Sequence, residues 1–438
     1  MNSRTEPVVL HSADLHEPRG PYPAPAFPAV FPDGSRGWFI VGYEEARSLL
    51  ADPRLHKADP RPDATDAAGD TGEVGDSAGA SPRIPEALVS HMLAMDPPQH
   101  TRLRRLVGKA FTAGTVARLR PRIQQIADEL LDAIPTPGPV DLLAAFASPL
   151  PITVICELLG VPVQDRADVK RWSESVTSAF TDRTEADAQA LLDYLSDLVA
   201  QRRAHPSGDP LSDLVHVSDG ADRFTDTELT SMACLLLVAG HETTTNLIGT
   251  GVWTLLRTPE QLAELRQDPA LVPGAVEELL RLSSPAHIAT TRFTSEPVQV
   301  GGTEIPAGER VMISLLAANR DAAHFTDPDR LDLTRKGSGH LAFGRGIHHC
   351  LGAPLARLEA DIALRTLLRE FSSIELAHDQ HKPLWRDSTM IHGLPTLEVT
   401  LRRNPETIEE SADNAARTAR GTPPAWRTSS AVRARGDH

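Results

Sequence analysis

Apolar positions along the chain fall into distinct regimes, and the densest lies near its middle. Between Ser231 and Leu256 the only formally charged residue is Glu242. The pattern Thr225-x-x-Glu228 opens this stretch as a capping box and Thr258-Pro259 closes it, so it reads as one long helix. A helix that is apolar nearly all round belongs in a core. Its unbroken apolar run, 232–238, is far shorter than the roughly 18 residues a membrane span needs, and polar residues from His241 to Asn246 follow at once.

Amphipathic patterns flank that segment. After the Pro-Pro start signal at 97–98, a helical period of about 100° per residue puts His100, Leu103, Arg104, Val107 and Phe111 on one face. Arg102, Arg105 and Lys109 fall on the other. Several amphipathic helical segments follow from 112 to 200, including 115–134, and no internal repeat is found. Glu278 and Arg281 are spaced i,i+3 and share one face of a short helix. Strand signals are fewer: 38–41 precedes a short helix at 43–50, and 298–313 and 393–401 read as hairpin material, the former helped by Gly301-Gly302. The stretch 60–82 is rich in Gly, Asp, Ala and Pro without periodicity, which predicts a mobile insert. Beyond Arg403 the composition is polar and of mixed charge and cannot support a core. The expected fold is mainly α with small β-sheets (α+β), one domain over 1–402 and a disordered tail over 403–438.

Charge and cysteine content narrow the function. With 438 residues and a formal charge of −15, the chain has no general affinity for nucleic acid or anionic lipid. Three cysteines do not make a disulfide framework and fit a reducing, cytoplasmic setting. The N-terminal residues lack the basic start and apolar core of a signal peptide.

One of those cysteines carries chemistry. Cys350 sits in the run Phe343-Gly344-Arg345-Gly346-Ile347-His348-His349-Cys350-Leu351-Gly352, just before a helix-like segment from Pro354 to Glu359. Glycines at 344, 346 and 352 would allow positive φ and close approach to a flat ligand. The start of the next helix would aim N–H groups at the sulfur, predicting an easily ionised thiol. Structural zinc and iron–sulfur sites want several Cys or His ligands, whereas haem iron needs only one axial protein ligand. By itself a lone cysteine is more often a small buried hydrophobe.

The ten-residue run resembles the haem-ligand loop of the cytochrome P450 monooxygenases. Segments around Ala239-Gly240-His241-Glu242-Thr243-Thr244, Glu278-Leu279-Leu280-Arg281 and His100-Thr101-Arg102-Leu103-Arg104 resemble the same family in its order, so the likeness spans about Phe39 to Val399. It implies the cytochrome P450 fold around haem b, with Cys350 as metal ligand within a loop that includes Phe343 and Gly344. It also implies His100, Arg104, Arg292 and His348 as contacts to the haem propionates. Activating dioxygen requires proton delivery, for which a carboxylate beside a hydroxyl, Glu242 and Thr243, is suited. Glu278, Arg281 and Arg330 are expected as a buried structural network. Ala322 and Leu331 depart from the proline and phenylalanine common in the family's adjoining meander.

The family arrangement further implies substrate walls at Val238, Ala239, Ile288, Ala289, Met390 and Ile391. The expected activity is insertion of one oxygen atom from dioxygen into an apolar small molecule, by hydroxylation or epoxidation; soluble relatives of this type often oxidise macrolides or other secondary metabolites. Electrons are expected from NAD(P)H through a ferredoxin reductase and a ferredoxin, with the protein acting as a monomer away from membrane and nucleic acid. The basic face formed by Arg102, Arg105 and Lys109 would be a docking patch for such an acidic donor. Two other classes are weighed against this reading. A non-catalytic haem protein for gas sensing or carriage would need no proton relay, and a haem-free thiol redox protein would leave His100, Arg104 and Arg292 without purpose.

Overall fold

The computed structural model describes residues 6–18, 22–59, 84–176, 183–219, 222–337, 339–378, 383–386, 388 and 390–405. The expected insert at 60–82 and the tail from 406 onward lie outside the described residues. Arg403, assigned to that tail from sequence, instead ends the strand Glu398–Arg403 and donates to the carbonyl of Leu131 at 2.6 Å.

Helices dominate, and the longest is the apolar one. Asp226–Leu256 runs unbroken for 31 residues, with the Thr225–Glu228 capping box formed in both directions. Residues as far apart as Leu229, Leu237, Ile248 and Leu255 along this central helix are buried in the largest hydrophobic cluster. It packs against the helices Pro149–Leu158, Thr184–Ala204, Val272–Leu282 and Ala353–Glu370. Burial of one carboxylate in such a helix requires a partner, which the chain supplies from elsewhere.

The amphipathic reading of 97–111 gives the helix Gln99–Ala110, whose Leu103, Leu106 and Val107 are buried while Arg105 and Lys109 are exposed. The single period proposed for 115–134 is broken into Ala113–Arg118 and Arg120–Asp132, the second starting with a proline in its first turn.

Strands gather in small sheets. A six-stranded sheet has the spatial order Val8–Val9, Ala26–Val30, Arg36–Ile40, Arg310–Ile313, Arg292–Thr294, Leu55–His56. Within it Arg310–Ile313 lies parallel to Arg36–Ile40, with Ile313 opposite Ile40. The predicted hairpin at 298–313 is therefore only partly one. Val298–Val300 and Thr303–Ile305 pair antiparallel through Gly301 and Gly302, both at positive φ, while Arg310–Ile313 joins the larger sheet. The second predicted hairpin, 393–401, is corrected to a single strand, Glu398–Arg403, between Phe371–Leu376 and Gly138–Asp141.

Candidate functional site

The cysteine loop is held by short-range backbone constraints. Cys350 donates its N–H to the Phe343 carbonyl at 2.9 Å, closing the loop on itself. Gly344 and Gly346 have φ of 67° and 74°. At Gly346 a Cβ would lie 2.7 Å from the Leu50 carbonyl oxygen, so both conformation and space demand glycine. Gly352 differs from expectation: its φ is −80°, and it caps the helix Ala353–Glu370. Cys350 is exposed, yet protein crowds its sulfur on several sides. That crowding pushes the thiol pKa up, against the pull of the Gly352 and Ala353 N–H groups, Arg104 and Arg357. The sequence expectation of a readily ionised sulfur is thus reversed for the sulfur alone, because desolvation outweighs the helix start. A metal ion bound to the sulfur would supply the missing charge, since a coordinating thiol is deprotonated outright.

Behind the loop, Phe343 lies under the guanidinium of Arg357, 4.5 Å from carbon to ring centroid. Arg357 and His340 both bind Glu277, at 2.6 and 3.1 Å. Burial pushes the Glu277 carboxyl up, but those two partners together bring its pKa down to about 2. One residue on, Glu278 is buried with Arg281 in a two-bond pair, each bond 2.8 Å. Arg281 also donates to the carbonyls of Asn319 and Pro328. Asn319 in turn accepts from the N–H of Leu341 at 2.7 Å, which ties the network to the start of the cysteine loop. The third member expected from sequence is corrected here. Arg330 is exposed and offers its carbonyl, whereas the cation that completes Glu278 is Arg335, with Nε 3.0 Å from Oε1.

A second group of side chains collects positive charge. His100 and His348 have ring centroids 4.4 Å apart. Arg292 is buried, and burial brings its pKa down to about 10. Arg104 donates to the His349 carbonyl at 2.7 Å. Lys57, not anticipated from sequence, joins them: its ammonium bonds the carbonyls of Thr290 and Thr291, and burial followed by Arg292 holds its pKa well below that of an ordinary lysine. His348 feels the sum. Burial, then Lys57, His100, Arg292 and Arg104, lowers its pKa to about 3. His100 is buried without a well-formed hydrogen bond on either ring nitrogen, the Ile347 backbone exerting only a weak pull. Among the described residues, Asp96 is the one carboxylate acting on Lys57, His100 and Arg292. Such a cluster suits an anionic ligand with more than one carboxylate.

The middle of the central helix departs from its surroundings. Ala239 is exposed and Val238, Gly240 and Thr243 are half-buried, whereas most of the helix is buried. Thr243 donates to the Ala239 carbonyl at 2.9 Å and Asn246 to the Glu242 carbonyl at 2.7 Å, so side chains share the helix's own carbonyls. The helix stays continuous through this stretch rather than opening at Gly240, where a Cβ would press on Ile155 at 3.1 Å. Glu242 is buried, and its Oε2 accepts from Arg386 Nη1 at 3.0 Å.

The proposed wall residues divide. Ala289, Met390 and Ile391 are half-buried, in segments that meet at the bridge between Ala286 and Ile391. Ile288 belongs instead to a core cluster with Leu10, Phe27, Phe39 and Met312. Its side chain is committed to the sheet. The basic face of the Gln99 helix is likewise corrected: Arg102 pairs with Asp222 and Glu228, and Arg105 reaches Asp222 at 3.7 Å. Acids from distant segments pair with both arginines, so the face is less positive than its sequence alone suggests.

No helix among the described residues is long and apolar enough to cross a membrane. Comparison with known proteins gives a consistent picture. The family model described as Cytochrome P450 matches residues 151–398. Cytochrome P450 107B1 of Saccharopolyspora erythraea is 46% identical over 372 residues, covering 84% of this chain and 90% of that protein. The 6-deoxyerythronolide B hydroxylase of the same organism is 43% identical over 382 residues, covering 86% and 93%. The tirandamycin C-bound structure of the P450 monooxygenase TamI superposes with a TM-score of 0.81 at 46% identity, over 90% of this chain and all of that one.

Proposed function

The chain belongs to the cytochrome P450 family and is a haem-dependent monooxygenase; from that premise we propose that it oxidises a polyketide or other apolar secondary metabolite, with Cys350 as the ligand to iron. The relatives described as a 6-deoxyerythronolide B hydroxylase and as a tirandamycin C-bound monooxygenase support the substrate class. The observation that carries the site assignment is the convergence of Lys57, His100, Arg104, Arg292 and His348 beside the loop of Cys350.

The residues present fit haem. A cluster of cationic and imidazole groups opposed by one carboxylate suits two propionates, and a buried His100 without a well-formed partner suits a carboxylate oxygen. When bound, haem supplies dioxygen activation and transfer of one oxygen atom, using electrons that redox partners deliver. The protein's own part is binding, orientation and proton handling. Cys350 would hold the iron as thiolate, its charge stabilised by the backbone N–H groups of Gly352 and Ala353. Arg104, Arg292, His100, His348 and Lys57 would fix the propionates.

Protons travel through the central helix. Glu242 rests on Arg386, its carboxylate held at the buried side of the helix. A proton taken up on Oε2 weakens that ion pair, and the carboxyl then donates it to Thr243 Oγ1 as the Thr243 hydroxyl turns from Ala239 and gives up its own proton toward the substrate side. The Thr243 hydroxyl donates to Ala239 and keeps lone pairs for accepting. Val238, Ala239, Ala289, Met390 and Ile391 form apolar walls for the substrate. The electron donor is a ferredoxin served by a ferredoxin reductase, and the protein works as a cytoplasmic monomer, a setting that three unpaired cysteines support.

The test is spectroscopic. The reduced protein with carbon monoxide is expected to show the red-shifted Soret band of thiolate-ligated haem, and Cys350→Ser to lose it, because an alcohol is a far weaker donor. An unchanged band in the variant removes Cys350 as ligand. Spin-state shifts on adding polyketides then identify the substrate class.

A further inference from the structure

Three histidines that take no part in the oxidation chemistry meet in the interior. His16 ends the helix Ser12–His16, His287 follows the Glu278 helix, and His392 lies near the last strand. All three are buried, at 4%, 0% and 1% exposure. One ring nitrogen from each lies within 4.8 Å of those of the other two. His16 Nδ1 and His392 Nδ1 are 3.3 Å apart.

We propose that His16, His287 and His392 form a binding site for a divalent transition-metal ion of the zinc class, separate from the haem. Tetrahedral zinc with bonds of about 2.0–2.1 Å places its ligand nitrogens roughly 3.3–3.4 Å apart, which the His16–His392 pair already matches. The remaining separations are at most 4.8 Å and shorten to ligand distance when the ion binds. Imidazole suits zinc, copper and nickel, and a set of three histidines leaves a fourth position for water.

The environment favours neutral, ligating rings. Burial, followed by His287, His16 and Arg320, holds the His392 pKa well below the ordinary histidine value, which favours the neutral ring with one nitrogen open to a ligand. The backbone fixes two of the three rings: His392 donates its main-chain N–H to the Pro285 carbonyl at 2.7 Å, and His287 to the Met390 carbonyl at 3.1 Å. Trp385 lies over His392 at 3.9 Å between centroids and donates its indole N–H to Glu17 at 3.1 Å, walling off one side. Arg320 is the charged group that acts on His392, and Glu17 in turn acts on Arg320, offsetting that cation near the cluster. An ion here would pin the N-terminal helix to the two segments that carry Ala289 and Ile391. A second candidate set, Glu174, His241 and Glu242, is weaker, since His241 Nδ1 bonds the Leu237 carbonyl and Glu242 is engaged by Arg386.

The experiment uses the full-length holoprotein, treated with chelator and desalted, then titrated with zinc chloride by calorimetry. One zinc per haem is expected, with a rise in thermal midpoint. His392→Ala and His287→Ala should each weaken the affinity at least tenfold, while His11→Ala, an exposed histidine nearby, should leave it unchanged. Zinc-edge X-ray absorption on the wild-type protein should give three imidazole ligands, a readout that does not depend on the variants folding. The proposal is overturned by less than one zinc bound per haem, by one imidazole shell mixed with carboxylates, or by folded variants that bind zinc like the parent. Those last results would mean a hydrogen-bonded histidine cluster or a site at Glu174, His241 and Glu242.

Discussion

Arg386 reaches across from the segment preceding the last strand to bind Glu242, the only formally charged residue between Ser231 and Leu256, at 3.0 Å. The pair joins the proposed proton route to a segment that also borders the proposed substrate side. It makes the carboxylate's position depend on a residue 144 positions away in sequence.

Removing the cation tests that dependence. Arg386→Met leaves a buried carboxylate without its partner, at a cost on the order of 1–3 kcal/mol, since Arg386 itself is partly exposed. The double variant Arg386→Met with Glu242→Gln should recover most of that stability in chemical unfolding. It should not recover coupling of electrons to product. If the double variant is as unstable as the single one, the ion pair is not the source of the loss.

Thr243→Ala removes one hydroxyl whose visible bond is to the Ala239 carbonyl in the same helix. Stability and haem content should change little, because such bonds within a helix contribute slightly at most. Peroxide released per electron pair consumed should rise severalfold. A wild-type ratio of product to reductant consumed would show that Thr243 is not on the proton route.

Two arginines five residues apart should behave oppositely. Arg335→Ala breaks a bond to Glu278, a carboxylate 2% exposed, and should cost about 2–4 kcal/mol along with haem retention. Arg330→Ala removes an exposed side chain while its carbonyl remains, and should stay within about 0.5 kcal/mol. Urea unfolding of both variants decides; similar losses would restore Arg330 to the network.

Glu359 is buried, and desolvation pushes its carboxyl well above the usual range. A carboxyl with a raised folded pKa stabilises the fold fully below its unfolded value of about 4.3, and that contribution drains away as pH rises. Glu359→Gln should therefore raise the thermal midpoint at pH 8 and much less at pH 5. A constant difference across that range would mean the carboxyl is not held neutral.

What the sequence made legible was local or periodic. The capping box at Thr225 and Glu228 fixed where the central helix begins, and the 3.6-residue period put Leu103 and Val107 inward. Glu278 and Arg281 could be paired because they lie one helical turn apart. Lys57, Arg335 and Arg386 could not be found this way, since each meets its partners through tertiary packing and sits in no repeating pattern. The same blindness misread Arg102: helical arithmetic put it outside, but only the fold brings Asp222 against it. At Gly352, glycine suggested positive φ, whereas the backbone there is ordinary and serves as a helix cap. Ile288 was placed by resemblance along a segment; the side-chain direction that commits it to the sheet follows from its bridge to Ser314.

The pairing of Arg310–Ile313 beside Arg36–Ile40 sets a schedule for biosynthesis. At roughly 5–20 residues per second, the first of these strands waits for tens of seconds on the ribosome before its parallel neighbour emerges. Until then the hairpin of Ala26–Val30 and Arg36–Ile40 has an unsatisfied edge. Arg292 begins one strand of this sheet and Lys57 follows another, so that charge cluster assembles only after about two thirds of the chain has been made. On the proposed propionate role of that cluster, cofactor capture is a late event, and a nascent chain released before residue 292 would have the central helix but not the cations proposed to hold haem.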